Sequence, residues 1–161
     1  MAKTASRAAL LHAALQDLHA GKRAQSRRLP AIRDAATDPA LRDLLGAEAE
    51  RVGAQAARLA AVGGDMAGPE NLWIAGVLDD AERDARSHQP GPVLDVALVG
   101  AVRKAKAAEV VSSETALALA RAEGLDAVAA AVEANRAEER ASDAALRIVL
   151  ERLTNHPSPR T

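Results

Sequence analysis

The sequence predicts an all-α protein that folds as an antiparallel four-helix bundle. Three observations support this prediction. Four long segments carry apolar residues at spacings of three and four, which place them on one face of a helix. Short turns join the first segment to the second and the third to the fourth, and a long broken connection, residues 63–92, separates the two pairs. Two helical hairpins joined by one crossover are typical of such bundles.

The first hairpin is expected to contain helices over about residues 4–36 and 39–62. Pro30 lies inside the first helix and should kink it or open one turn, because proline has no backbone N–H to donate. Asp38 is a good N-cap for the second helix, and the proline after it suits the first helical position. Gly63 then ends this helix.

The crossover is expected to carry a short amphipathic helix that begins after Pro69 and contains Trp73, the only aromatic residue of the chain. The sequence SHQPGP at 87–92 is a break. Two interpretations of Trp73 stay open. It belongs to an apolar surface through which the chain forms a homodimer, or it packs on its own bundle as a lid.

The second hairpin is expected to contain a helix over about 93–122 and a last helix capped by Asp126. The bundle domain is predicted to span residues 1–154. The remaining residues, 155–161, are polar and rich in proline, and we predict a disordered tail there.

Composition limits the possible functions. With 21 basic and 22 acidic residues the formal net charge is −1, which argues against a general nucleic-acid or membrane binder. Cysteine is absent, which excludes disulfides, thiolate metal sites and thiol nucleophiles. We recognise no secretory signal and no apolar stretch near the ~18 residues of a membrane span, so the expected location is cytoplasmic.

No catalytic motif is recognised in the sequence, and no catalytic residue is predicted. His12 and His19 lie seven residues apart on one face of the first helix. They could form a zinc pair, but two ligands from one helix are usually three or four residues apart. We therefore interpret them as surface or edge histidines.

Polar residues interrupt the apolar stripes of all four long helices: Lys22, Glu48, Gln55, Lys106, Glu109, Asn135, Glu139 and Ser142. Glu109 lies 15 residues before Gly124 and Glu139 lies 15 residues after it. At ~1.5 Å per residue both are roughly 22 Å from the turn, and Lys22 has the same depth in the first hairpin. The polar groups should therefore lie at one level in mid-bundle. They could form an active or metal site there, or the lysines could extend their ammonium groups outward to solvent.

Four stretches together resemble the ferritin-like family typified by the bacterial YciE and YciF stress proteins: DLHAGKRAQSRRLP (17–30), DPALRDLL (38–45), VGAVRKAKAAEVVSSETALALA (99–120) and EANRAEERASDAAL (133–146). The resemblance covers about residues 8–150. It implies a ferritin-like bundle, in which one Glu from each of two helices and Glu-x-x-His from the other two can hold two metal ions.

The chain departs from this pattern at the metal ligands. The family's first-helix Glu falls on Lys22 and one third-helix Glu falls on Lys106. The next third-helix Glu is kept as Glu109 and the fourth-helix Glu as Glu139, but Ser142 stands where a His would follow.

On the second helix the resemblance and the helical periodicity disagree. The resemblance places the ligand at Glu50, with Gly53 in place of the His, whereas the periodicity points Glu48 inward. Both glutamates remain candidates at this stage.

A lysine ammonium ~4 Å from a divalent ion costs roughly 8 kcal/mol at an effective dielectric of about 20. The sequence therefore predicts a polar layer (Lys22, Lys106, Asn135, Ser142) and a vacant set of metal candidates (Glu48, Glu50, Glu109, Glu139). We expect a non-catalytic, stress-associated homodimer without a cofactor. The alternative is a protein that keeps a partial carboxylate site for one iron or manganese ion. A third hypothesis is a metal-free enzyme with a reactive lysine, and only Lys22 and Lys106 support it.

Overall fold

The computed structural model describes residues 4–155, in which five helices and no strand occur. They are α1 (Arg7–Ala35), α2 (Pro39–Gly63), α3 (Leu72–Ser87), α4 (Pro92–Ala122) and α5 (Asp126–Asn155). The predicted all-α fold with a helix in its crossover is confirmed. The predicted tail, apart from Asn155 at the end of α5, lies outside the described residues. None of these helices is long and apolar enough to span a membrane.

The helices α1, α2, α5 and α4 form a closed ring of four, and α3 packs on the outside against α1 and α4. Asp95 near the start of α4 accepts hydrogen bonds from Thr37 in the α1–α2 turn. Arg152 near the end of α5 pairs with Asp38 of the same turn at 2.6 Å. These contacts bring the start of α4 and the end of α5 to one end of the bundle, so neighbouring helices in the ring run antiparallel.

Side-chain caps set the helix starts. α1 begins at Arg7, a turn later than predicted, because Ser6 caps it by accepting a hydrogen bond from the Ala9 amide at 3.1 Å. Asp38 and Asn71 cap α2 and α3 in the same way. α1 continues as one helix through Pro30.

The apolar core is divided into two clusters along the bundle. One lies toward the α1–α2 turn and is built around Leu29, Ile32, Leu41, Leu45, Ile74, Leu94, Leu98 and Leu146. The other lies toward the opposite end and is built around Leu11, Leu15, Leu18, Leu59, Leu117, Val128 and Val132. The buried side chains between these clusters are mostly charged or polar, and the charged and polar ones form the candidate site.

Trp73 packs against the first apolar cluster of its own bundle. Its indole Nε1 donates a hydrogen bond to Asp17 Oδ2 on α1 at 3.0 Å. Within one chain, Trp73 therefore packs on its own bundle, as in the lid interpretation. Leu72 beside it is 79% exposed, and association into a homodimer stays a prediction that sedimentation at high concentration would test.

We expect Asp95→Ala to lower the free energy of unfolding by about 3 kcal/mol, because it removes the buried carboxylate that joins the α1–α2 turn to α4. Asp95 accepts from the Thr37 amide at 2.7 Å, the Thr37 hydroxyl at 2.6 Å and the Asp38 amide at 3.0 Å. Urea denaturation measures the loss. Thr37→Val removes only the hydroxyl contact and should cost about 1 kcal/mol; equal losses in the two variants would contradict this account.

Candidate functional site

A layer of buried charges crosses the middle of the bundle between the two apolar clusters. Every helix of the ring contributes: Lys22 comes from α1, Glu48 from α2, Lys106 and Glu109 from α4, and Glu139 from α5. Each of these residues is at most 2% exposed. Burial to this degree is rare for charged groups unless they are paired with one another.

The two lysines bridge the carboxylates. Lys22 Nζ lies 2.8 Å from Glu109 Oε1 and 2.5 Å from Glu139 Oε1. Lys106 Nζ lies 2.8 Å from Glu139 Oε2 and 3.4 Å from Glu109 Oε2, and it also contacts Glu48 Oε1. Each oxygen of Glu139 therefore faces one ammonium group.

Gln25 completes the centre of the layer and was missed by sequence reasoning. Its side chain is fully buried on α1. Its Nε2 donates to Glu109 Oε1 at 2.8 Å, and its Oε1 accepts from Lys106 Nζ at 3.2 Å. The amide therefore matches a carboxylate on one side and an ammonium on the other. The sequence feature that could have identified Gln25 is its position three residues after Lys22, on the same face of the helix.

Arg51 closes the layer on the side where α2 meets α5. Its Nη1 lies 2.6 Å from Glu48 Oε2, and the hydroxyl of Ser142 donates to the same oxygen. The Arg51 side chain is 36% exposed, so it carries positive charge from the solvent edge to the buried layer. With Arg51 included, three cations face the three buried glutamates.

Asn135 belongs to a second polar network rather than to the lysine layer. Its Nδ2 donates to the Gln55 carbonyl oxygen at 3.3 Å, and its Oδ1 accepts from Arg58. Glu138 joins the same network, because it accepts from Gln55 Nε2 at 2.9 Å and pairs with Arg58 at 2.8 Å. Gln55 Oε1 is buried without a hydrogen-bond partner.

The remaining candidates lie outside the layer. Glu50 is exposed while Glu48 is buried, so the helical periodicity identified the interior glutamate of α2. His12 is exposed and His19 is partly exposed. Within residues 4–155 no three His, Asp or Glu side chains are arranged as a group that could hold a metal ion.

The pKa values follow from burial and from the close opposite charges. Burial alone would raise the pKa of Glu139, but Lys106 and Lys22 outweigh it and lower the pKa to about 2. Burial raises the pKa of Glu109 by more than the two lysines lower it. Burial would lower the pKa of Lys106, yet the surrounding carboxylates raise it above its usual value. Of Glu109 and Glu139, Glu109 is therefore the carboxylate that takes up a proton first as pH falls.

The residues present do not fit a di-metal centre. The ammonium groups of Lys22 and Lys106 lie within 2.5–3.4 Å of the carboxylate oxygens that would have to bind the ions. Both lysines are buried too deeply for their ammonium groups to reach solvent in this conformation. Ser142, at the position of a His ligand in the resemblance, donates to Glu48 instead.

We expect Glu139→Gln to reduce the acid sensitivity of folding. Because the folded-state pKa of Glu139 is lowered to about 2 from 4.5, its stabilising effect is present above pH 4.5 and is lost as pH falls toward 2. The linked effect is on the order of 3 kcal/mol. Unfolding free energies of wild type and variant should therefore converge across that window. Glu50→Gln, on the exposed face of α2, should follow wild type; parallel profiles for Glu139→Gln and wild type would contradict the assigned direction.

The four-helix ring and the interior layer of charged side chains, to which all four helices contribute, define a protein with a ferritin-like four-helix-bundle fold. More specifically, the chain belongs to the family described as domain of unknown function DUF892, whose profile matches residues 6–158. The family resemblance seen in the sequence, to YciE- and YciF-like proteins, is confirmed.

Two solved structures are similar over most of their length. The Escherichia coli stress protein YciF superposes with a TM-score of 0.92 at 21% identity, covering 96% of this chain and 100% of YciF. YcfI, a proposed structural protein from Rhodopseudomonas palustris, superposes with a TM-score of 0.85 at 25% identity, covering 89% of this chain and 94% of YcfI. A search of curated protein sequences finds no significant match.

Proposed function

We propose that this chain is a non-catalytic ferritin-like bundle protein in which a layer of lysines and glutamates takes the place of a di-metal centre. One observation carries the proposal. The ammonium groups of Lys22 and Lys106 both contact the carboxylates of Glu109 and Glu139 in the centre of the bundle. These carboxylates already have cationic partners.

Electrostatics supports this proposal. A divalent ion ~4 Å from a lysine ammonium is disfavoured by roughly 8 kcal/mol at an effective dielectric of about 20. Removing the proton from Lys106 would relieve that repulsion, but its raised pKa makes deprotonation harder than for a lysine in water. An ion would therefore have to displace two bound counter-charges before it could reach three carboxylates.

The similar structures support a structural role. YciF is described as a stress protein, and YcfI as a proposed structural protein. By likeness to both, we propose that this chain acts through its surface, as a structural or interaction protein in a stress response, rather than through a reaction in its interior.

Metal content tests the proposal. The protein is produced in medium supplemented with iron and manganese, purified without chelators, and analysed by inductively coupled plasma mass spectrometry. We expect far less than one ion per chain and the same trace in Glu109→Gln/Glu139→Gln, which lacks two of the carboxylates. About one ion per chain that disappears in this variant would support the alternative, a partial carboxylate site for iron or manganese. About two irons per chain with oxidation of ferrous ion would overturn both.

A further inference from the structure

A ridge of basic side chains runs along the outside of α1, away from the buried layer. His19, Arg23 and Arg27 are four residues apart and therefore share one face of the helix. Two grooves of about 490 and 390 Å³ flank this ridge, and all three residues line both of them. At 1.5 Å per residue the three groups span about 12 Å.

The two arginines of this ridge have no ion pair within residues 4–155, whereas Arg28 beside them has two. Arg28 pairs with Asp79 at 2.6 Å and with Glu82 at 2.7 Å on α3. Most other arginines of the described chain also have a carboxylate within 4 Å. The bundle itself therefore leaves the positive charge of Arg23 and Arg27 unneutralised.

The smaller groove, between α1 and α2, is the better site for an anion. An acidic residue, Glu70, lines the larger groove, while none lines the smaller one. Apart from the basic ridge, the smaller groove is lined by the hydroxyl-bearing Ser26 and by the small residues Gly53, Ala56, Ala57 and Ala60. The small side chains of α2 leave space for a ligand in the groove, and the polar groups of α1 supply the hydrogen-bond donors.

We propose that His19, Arg23 and Arg27 bind a small soluble polyphosphate in the groove between α1 and α2. Guanidinium groups match phosphate oxygens with two parallel hydrogen bonds, and they are weakly hydrated, so they suit phosphate better than lysine does. A line of donors about 12 Å long favours a chain of phosphates over a single phosphate ion. The groove has the volume for such a ligand, about 390 Å³.

Titration calorimetry with sodium tripolyphosphate tests the proposal, with pyrophosphate, orthophosphate and citrate as comparison ligands. We expect the affinity to fall in the order tripolyphosphate, pyrophosphate, orthophosphate, and to weaken as salt rises above about 50 mM, because exposed charges are screened. Arg23→Gln/Arg27→Gln should bind tripolyphosphate about tenfold more weakly or worse. Arg42→Gln/Arg121→Gln, which removes two exposed arginines elsewhere, should bind like wild type.

A second measurement determines the pKa of His19 in the wild-type protein, so it does not depend on the folding of a variant. Burial and the nearby Arg23 lower the pKa of His19. A bound polyphosphate favours the charged imidazole, so NMR titration should show the pKa of His19 rising when tripolyphosphate is present.

Several results would overturn the proposal. No detectable tripolyphosphate binding at low salt would do so, as would equal losses in the two double variants. Citrate binding as tightly as tripolyphosphate would indicate attraction to charge alone. Co-sedimentation with vesicles that contain a phosphoinositide, lost in Arg23→Gln/Arg27→Gln and without binding of soluble tripolyphosphate, would assign the ridge to a membrane headgroup instead.

Discussion

Lys106→Met is expected to lower the free energy of unfolding at neutral pH by about 3–5 kcal/mol, because it leaves buried carboxylates without a counter-charge. Lys106 Nζ contacts three glutamates and the Gln25 amide, and its side chain is fully buried. Methionine has nearly the same length and keeps the packing. The loss should therefore come from charge rather than from a cavity, and chemical denaturation measures it.

The pH dependence of Lys106→Met gives a sharper test. Burial already raises the pKa of a carboxylate such as Glu109, and loss of the Lys106 ammonium group should raise it further above the unfolded value. Such groups stabilise the fold only below the unfolded pKa, and that stability is lost as pH rises. The variant should therefore recover part of its deficit at about pH 4.

Lys104→Met is the matched control for this test. Lys104 lies on the same helix, pairs with Asp80 at 3.2 Å, and its side chain is 64% exposed. A surface pair of this kind contributes roughly 0–1 kcal/mol. A loss in Lys106→Met no larger than in Lys104→Met would show that the buried layer does not depend on its ammonium groups.

The fold was predictable because its determinants are local. Apolar periodicity, a capping Asp38 and the glycine at the end of α2 fix four long helices and two short turns, and the long connection between the two hairpins leaves few arrangements. The start of α1 was missed because Ser6 was not recognised as its cap. The depth of the polar layer was predictable as well, since a constant helical rise converts residue number into height along the bundle.

The contacts within the layer were not predictable to the same degree. They depend on the rotation of each helix, and periodicity fixes that rotation only to about one residue. Gln25 was overlooked for this reason, although it contacts both Glu109 and Lys106. Arg51 was overlooked because a half-exposed arginine in an alternating charged stretch resembles an ordinary surface residue. Its position three residues after Glu48 was the available signal.

The layer of buried charges and the apolar core occupy different levels of the same bundle. The layer lies between two apolar clusters, so it interrupts the core at one level only. Replacing a buried ion network by apolar groups is often neutral or stabilising, whereas removing one member is costly. The lysines therefore need not be a source of net stability, although the loss of one of them is costly.

Lys22→Glu/Lys106→Glu is expected to create a metal site in the middle of the bundle. The two changes remove the repulsion of roughly 8 kcal/mol per ammonium and add two carboxylates at the same depth. Binding of manganese or ferrous ion should become at least about a hundredfold tighter than in wild type. In the apo form the variant should be less stable than wild type, because five buried carboxylates would then face only Arg51.

Thermal unfolding with and without Mn²⁺ measures this effect, because an ion that binds only the folded state stabilises it by about 2.7 kcal/mol at a hundred times its Kd. Wild type should show no shift in Tm, and Lys22→Glu/Lys106→Glu should show a large one. Lys22→Gln/Lys106→Gln removes the same positive charges without adding ligands, and its response should lie between the two. If the glutamine variant responds as strongly as the glutamate variant, loss of repulsion alone opens the site. A wild-type protein that responds equally would mean that its lysines do not oppose metal binding.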